Sequence, residues 1–439
     1  MRNTAVVVGA SMAGLATAAA LADRFARVVL LDRDELPDRA EPRRGVPQGQ
    51  HGHVLLVAGL RALEEMFPGL HDELLAAGAT AFDIGTHLSI YRFGTVWAPM
   101  PTGLDIVSLS RPLLELTVRR RVAALPGVMI RDRCTVQGLT DAGNRVTGVV
   151  LDGGETVAAD LVVDCSGRGS RSDRWLAELG YPAPETLEVK VGVGYGTRLY
   201  RREPGPGGLG DAAGAYVLPT PPAENRVGLI LPIEGDRWLV SLGGWHLDDL
   251  PADEDSFRRD AAALPHPGVA DLIAHAEPLT GIATMRFPSS RRRCFERLRR
   301  LPGGYVALGD AVCSFNPVYG QGMTCAVLQA GALASTLDRH SAPSAAMSRD
   351  FYRAAATVIN TPWRFAVGGD FMYPRTTGPR PRGIALLNRY SRRVQLAARV
   401  SADVRRTFVS VQQLVTPPAV LFRPSMVARV LAKGGSPSS

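Results

Sequence analysis

Ala5-Val6-Val7-Val8-Gly9-Ala10-Ser11-Met12-Ala13-Gly14 is the stretch on which the fold turns. Its four leading apolar residues have the unbroken pattern of a strand buried on both faces. The alanine-rich run from Leu15 to Leu21 then reads as a helix. A second apolar strand, Val28-Val29-Leu30-Leu31, ends at Asp32, which lies 32 − 14 = 18 residues beyond Gly14. Strand, glycine turn, helix, strand and acid, in that order, predict a dinucleotide site. Gly9 permits the tight turn, and Gly14 lets the helix pack against the strand. The helix N-terminus, with Ser11, Met12 and Ala13, faces a pyrophosphate. Ser11 stands where a glycine normally allows the closest backbone approach. Asp32 accepts from the ribose hydroxyls, with Arg33 beside it in the same site. The alternative is an ordinary βαβ packing turn.

Composition is compatible with that unit. The 439 residues suffice for two or three globular units. Hydrophobic residues make up 46% and charged residues 21%, which excludes disordered and collagen-like chains. There are 50 basic residues against 42 acidic ones, a net charge of +8, and all the basic residues except Lys190 and Lys433 are arginine. The runs Arg291-Arg292-Arg293 and Arg299-Arg300 have no accompanying nucleic-acid motif, so they read as solvated charge and no nucleic-acid partner is expected. Cys134, Cys165, Cys294, Cys313 and Cys325 are scattered and odd in number, which suits a reducing cytoplasm. Neither they nor the histidines show metal spacing, and no metal is expected. No apolar run reaches the ~18 residues needed to span a bilayer, so no integral membrane segment is expected. No Gly-x-Ser-x-Gly elbow supports a serine hydrolase.

A second segment identifies the nucleotide. Gly309-Asp310-Ala311-Val312-Cys313-Ser314-Phe315-Asn316-Pro317-Val318-Tyr319-Gly320-Gln321-Gly322-Met323-Thr324 follows the apolar strand Tyr305-Val306-Ala307-Leu308. It resembles the second flavin fingerprint of flavoproteins with the p-hydroxybenzoate hydroxylase fold. The resemblance implies non-covalent FAD, with Asp310 on the ribitol chain. The Pro317-x-x-Gly320-x-Gly322 turn brings a helix N-terminus, with Met323, to the flavin pyrimidine edge. A positive helix end there stabilises negative charge on reduced flavin, an effect of ~1 kcal/mol. Phe315, Pro317 and Gly320 are the flavin-proximal residues expected at the reacting end, and no acid or base is assigned. Cys313 and Thr324 stand where that family usually has histidine and asparagine.

A third segment, Ala159-Asp160-Leu161-Val162-Val163-Asp164-Cys165-Ser166-Gly167-Arg168-Gly169-Ser170, leads a buried strand into a glycine turn. It occupies the place of the family's Asp-Gly motif, with Ser166 where that motif has aspartate. The form looks more like flavin enzymes fed by a separate reductase, so the electron source is either reduced flavin from such a partner or NAD(P)H directly. Two further strings, Arg43-Arg44-Gly45-Val46-Pro47-Gln48-Gly49-Gln50-His51-Gly52-His53 and Ser110-Arg111-Pro112-Leu113-Leu114-Glu115, are most similar to the bacterial polyether epoxidases of lasalocid and monensin type, relatives of squalene epoxidase in fold. That resemblance places Arg43 or Arg44 and Arg111 at the FAD phosphates, where an arginine fork suits the oxygens, and makes Gln48 a further cofactor-binding residue.

The expected class is α/β: a Rossmann-like FAD-binding domain of glutathione-reductase type, a β-sheet substrate domain and a C-terminal helical segment. Because the flavin motifs are far apart, the FAD domain must be discontinuous, about 1–80, 105–180 and 280–340. Residues 81–104 and 181–279 are assigned to substrate, and 341–439 to the helical region. In Val191–Leu199 the alternation leaves one face nearly bare, with Gly192, Gly194 and Gly196. Gly194, Tyr195 and Gly196 are the substrate candidates, although a packed helix would explain the bare face equally. Val227–Pro232 and Arg237–Leu242 read as a hairpin, and Gly205–Gly210 and Ser436–Ser439 as a loop and a tail. Val400, Val404, Phe408, Val411 and Val415 form an apolar helical stripe that either packs on the protein body or serves weak membrane association.

The expected activity is a monooxygenase that acts through a flavin C4a-hydroperoxide, with O₂ and an apolar small molecule as its reactants. Alkene epoxidation in a polyketide or terpenoid intermediate leads the expectations. An aromatic hydroxylase, a prenyl-chain reductase and a lipid-binding carrier without redox turnover are the alternatives. His246, His266 and His275 are the bases that aromatic hydroxylation could draw on. A halogenase is disfavoured, because no lysine precedes Lys190 and no Trp-x-Trp pair is present.

Overall fold

The computed structural model describes residues 2–203 and 209–435, so most of the Gly205–Gly210 loop and the whole Ser436–Ser439 tail lie outside the described residues. Five short strands form a parallel sheet in the order Tyr305–Ala307, Leu161–Asp164, Arg2–Val8, Phe25–Leu31, Val128–Arg131. Arg2–Val8 is central, and Ala5, Val6 and Val7 are fully buried, as their unbroken apolar pattern requires. The register sets Val8 beside both Leu31 and Asp164, and Asp164 beside Ala307. These strands therefore finish at one level, and Gly9, Asp32, Cys165 and Leu308 share one edge of the sheet. In open parallel sheets the ligand crevice forms at that carboxyl edge.

Two helices that follow these strands, Met12–Ala22 and Gly322–Asp338, pack on each other. Met12, Leu15, Leu21, Val327, Leu333 and Leu337 are all buried there. Each such side chain contributes about 1.5–3 kcal/mol on leaving water. The mixed α/β class with a Rossmann-like sheet is the one expected from the sequence.

A larger sheet runs in the order Cys313–Ser314, Ala283–Arg293, Thr186–Arg201, Arg237–Trp245, Arg226–Ile233, Gly214–Val217, Leu88–Arg92, Thr95–Val96. The hairpin read in the sequence is present, with longer arms. Cys313 and Ser314 pair with Arg292 and Arg291. The second flavin fingerprint is thus stitched into this sheet, and the Pro317–Tyr319 turn falls at the seam between the two sheets.

Two expectations are corrected here. The bare glycine face is not a substrate surface. A Cβ on Gly194 would lie 2.3 Å from Leu250, and one on Gly196 would lie 2.3 Å from the Pro251 carbonyl. The loop at Leu250–Pro251, not a ligand or a helix, uses the close approach. The apolar stripe is also shorter than read. Its helix spans Ala402–Gln412, so Val404, Phe408 and Val411 are buried while Val400 precedes the helix and is 59% exposed. Phe408 and its neighbours pack against the helices Ile384–Ala398 and Pro424–Lys433 and against Trp97, so the stripe covers the protein body.

Candidate functional site

At the first turn, Gly9 has φ +102°, and a Cβ there would sit 2.7 Å from the Cys165 carbonyl oxygen. A Cβ on Gly14 would come within 1.7 Å of the Gly9 oxygen. Both glycines are required by backbone proximity, independent of any ligand. Ser11 caps the helix in extended conformation without bonding its amides, so the first-turn N–H groups stay open toward the crevice. Asp32 Oδ2 accepts from the Ala10 amide at 2.6 Å, and Oδ1 accepts from the Asp34 amide at 2.9 Å and from Arg43 Nη1 at 3.1 Å. A carboxylate oxygen can accept twice, so Oδ2 retains a position for a ribose hydroxyl.

A buried ionic cluster lies beside this turn. Glu115 Oε1 accepts from Ser11 Oγ at 2.6 Å and from Arg111 Nε at 2.7 Å, while Arg111 Nη2 donates to Ser11 Oγ at 2.7 Å. Arg43 donates to Asp34 Oδ2 at 2.9 Å and reaches Glu115 Oε2 at 3.4 Å. Burial pushes the Glu115 carboxyl up, but the charges of Arg111 and Arg43 and the Ser11 bond outweigh it and hold the group ionised. Arg43 Nη2 is buried without a partner. Arg43 is therefore the arginine of its pair turned inward, whereas Arg44 and Arg33 are exposed and Gln48 is half-buried. His53 faces the same cluster, and burial together with the Arg111 charge pushes its imidazole down to about 3. His51 is pushed down to about 4 by burial, and its Nδ1 lies 2.9 Å from Thr197 Oγ1. Both rings are neutral at ordinary pH.

The two fingerprints meet at Gly309, where φ is +66° and a Cβ would lie 2.9 Å from that of Ala13. Next to it, the Asp310 carboxyl is half-buried and accepts no hydrogen bond among the described residues. Burial pushes it up to about 6, opposed by the charges of Arg111 and Arg168. Arg168 is held away from it by the Ser289 carbonyl at 2.6 Å and Ser314 Oγ at 2.7 Å. Asn316 then caps the turn, accepting from the Val318 amide at 3.1 Å, with Pro317 at the first position and Gly320 closing it in the left-handed region at φ +65°. Gln321 precedes the helix Gly322–Asp338, and its buried Oε1 has no partner. Met323 is buried behind Gly322. Thr324 holds the Leu56 amide at 3.0 Å, so it anchors the incoming chain. Phe315 is packed in the hydrophobic core and does not line the chamber. Of the three residues expected at the reacting end, Pro317 and Gly320 do face open space.

That space is a chamber of about 850 Å³. Pro317, Val318, Tyr319 and Gly320 form one end, and Tyr195, Tyr216, Val227, Leu229 and Leu231 form the sheet wall. Tyr195 thus meets the chamber although its neighbours Gly194 and Gly196 do not. The far wall comes from Phe365, Leu387, Tyr390, Phe408 and Leu421 of the C-terminal helices, a contribution not apparent from their stripe alone. At the seam, Asp370 Oδ1 accepts from Asn316 Nδ2 at 2.7 Å, Trp245 Nε1 at 2.8 Å and Tyr319 OH at 3.4 Å. Burial pushes this carboxyl up to about 7 against the pull of those bonds. His246, His266 and His275 do not line the chamber; His266 lies by Tyr91, and His246 bonds Thr376.

Sequence reasoning passed over Glu115, Arg168, Asp370 and Arg92. Only Glu115 had a local signal, its spacing of four from Arg111, which pairs them on one helix face. The other three are brought in by tertiary contacts.

These residues fit FAD. The open helix end and the unpartnered Arg43 Nη2 suit a pyrophosphate, Asp32 suits a ribose, and Asp310 offers an unpaired carboxylate to ribityl hydroxyls. The chain belongs to the family described as FAD binding domain, whose model matches residues 2–349. It is 34% identical over 408 residues to Protein Rv3254 of Mycobacterium tuberculosis, covering 87% of this chain and 83% of that protein. In structure it resembles a flavoprotein/dehydrogenase from Cytophaga hutchinsonii, with TM-score 0.68 and 17% identity over 99% of this chain and 98% of that one. It likewise resembles PqsL, a probable FAD-dependent monooxygenase from Pseudomonas aeruginosa, with TM-score 0.61 and 18% identity over 85% and 98% of the two chains. The chain is an FAD-binding flavoprotein with the fold found in such monooxygenases. Among the described residues no helix is long and apolar enough to cross a membrane.

Proposed function

We propose that the protein is an FAD-dependent monooxygenase that transfers one oxygen atom from O₂ to an alkene of a large, mostly apolar polyketide- or terpenoid-like substrate. The observation that carries this reading is the chamber of about 850 Å³ opening on the Pro317–Gly320 turn, a volume suited to a sizeable organic ligand. Reduced FAD would supply the activation of O₂. The protein's part is binding, orientation and exclusion of water. Arg43 and Arg111, braced by Glu115, hold the phosphates, and Asp32 and Asp310 take hydroxyls at the two ends. Tyr195, Val227, Leu229 and Leu231 present an apolar wall to the substrate, and the C-terminal helices close the opposite side. An isolated alkene needs no base, which agrees with a chamber lined, among the described residues, by no histidine.

Aromatic hydroxylation is the second reading, favoured by one observation: Asp370 contacts the chamber through Tyr319, and its carboxyl, near 7, could accept a phenolic proton passed along that bond. We also propose that a separate reductase supplies the electrons, since Ser166 replaces the acid expected at that turn and its hydroxyl donates to Asp164. The test is turnover of a polyene and of a phenol with FAD, a flavin reductase, NADH and ¹⁸O₂, analysed by mass spectrometry. Label in an epoxide, or in a diol or ether derived from it, supports the first reading. Label only in a ring hydroxyl replaces it with the second, and a saturated, unlabelled product shows an alkene reductase. Fast anaerobic bleaching by NADH or NADPH without a second protein would remove the reductase from the proposal.

A further inference from the structure

The chamber wall carries a charge that no carboxylate among the described residues balances. Arg92 ends the strand Leu88–Arg92 and lines the chamber among Tyr216, Tyr319 and Tyr373. Its Nε is buried without a partner, among the described residues no carboxylate or carbonyl receives a guanidinium N–H, and the nearest compensation is the Phe93 ring, whose centroid lies 5.1 Å from Cζ. Burial pushes the guanidinium down from its ordinary value, with only the phenols of those three tyrosines to oppose it. An unpaired guanidinium nitrogen in low-polarity surroundings is costly, and an anionic ligand in the chamber would remove that cost. The rest of the lining agrees in sign. Arg364, Arg389 and Arg392 stand exposed at the chamber's mouth, and among the described residues no Asp, Glu or Lys belongs to the wall.

We propose that Arg92 is the recognition site for a carboxylate on the substrate, which is therefore an amphipathic acid: an apolar body in the chamber with its acid group at Arg92. Guanidinium and carboxylate match as a two-pronged pair, and the low-polarity surroundings strengthen the bond. The three rim arginines raise the local concentration of anions at the entrance. This inference rests on the chamber being the substrate site of the oxygenase proposed above. It sets which molecules enter and leaves the chemistry as stated.

Binding to the oxidised, FAD-loaded full chain tests it without turnover, so its failure is separable from failure of the oxygenase reading. Oleate, laurate and 9-anthracenecarboxylate, each against its methyl ester, are titrated by calorimetry at submicellar concentration. At least one acid should bind ten or more times tighter than its ester. Arg92→Gln should erase that preference and leave ester affinity and FAD content unchanged, and Arg92→Lys should keep part of it. Because the charge is unpaired, Arg92→Gln should melt at or above the wild-type temperature without ligand. Equal affinity for acid and ester, no binding by any of the acids, or a preference that survives Arg92→Gln would overturn the inference. A lower melting temperature for both variants would show instead that Arg92 serves the fold.

Discussion

Replacing Asp310 with asparagine should move two properties of this protein in opposite directions. The Asp310 carboxyl is pushed from 3.8 up to about 6 by burial, and no donor in the described structure satisfies it. At ~1.4 kcal/mol per unit that displacement is ~3 kcal/mol, and solvent access to the cleft reduces it to ~1–2 kcal/mol. For an acid whose pKa is raised on folding, the unfolded chain ionises first. The stabilising contribution is complete below about pH 4 and is lost as pH rises through about 6. FAD-free Asp310→Asn protein should therefore melt higher than FAD-free wild type at pH 7.5, and the gap should narrow steadily as pH falls toward 4. FAD affinity should respond the other way. A hydroxyl bonded to an ionised acceptor gains ~1.5–3 kcal/mol against ~1 for a neutral one, so the variant should bind FAD about tenfold more weakly at pH 7.5. Wild-type affinity should itself weaken below pH 6, as the carboxyl takes up its proton. Thermal melts of the FAD-free proteins and titration by quenching of flavin fluorescence measure both effects. Unchanged FAD affinity, or a lower melting temperature for the variant at pH 7.5, would refute the reasoning.

Arg111→Lys keeps the charge but loses the forked bonds to Glu115 and Ser11, and FAD affinity should drop about tenfold, read by the same titration. Gly14→Ala should destabilise by ~3 kcal/mol, since its Cβ meets the backbone oxygen of Gly9 at 1.7 Å and no side-chain rotation relieves that; denaturant titration with FAD absent distinguishes this from a cofactor effect. Gly196→Ala should lower the melting temperature by displacing Pro251 while leaving ligand affinity intact; an altered ligand preference at unchanged stability would return that glycine face to the substrate site.

Much of the nucleotide half of the site was legible because its determinants are local. A Cβ at Gly14 collides with Gly9, five residues away, and Asp32 bonds the Ala10 amide within one strand–helix–strand unit. Interactions of that kind leave short, ordered patterns of residue type. The flavin turn is similar: Asn316, Pro317 and Gly320 each serve a conformation confined to a few residues. The sequence by itself thus determined an α/β protein of the FAD-binding family and the tight turns along one edge of its sheet. Only the tertiary structure decided that Arg43 and not Arg44 turns inward, that Glu115 ties Ser11 to Arg111, and that Leu250 and Pro251 cover Gly194 and Gly196. It alone joined Arg92 to Tyr319 and set Asp370 beneath Asn316. Apart from the Arg111–Glu115 spacing of four, those pairings cross tens to hundreds of residues, and their energies come from burial, which depends on everything packed around a group and leaves no pattern in its neighbours along the chain.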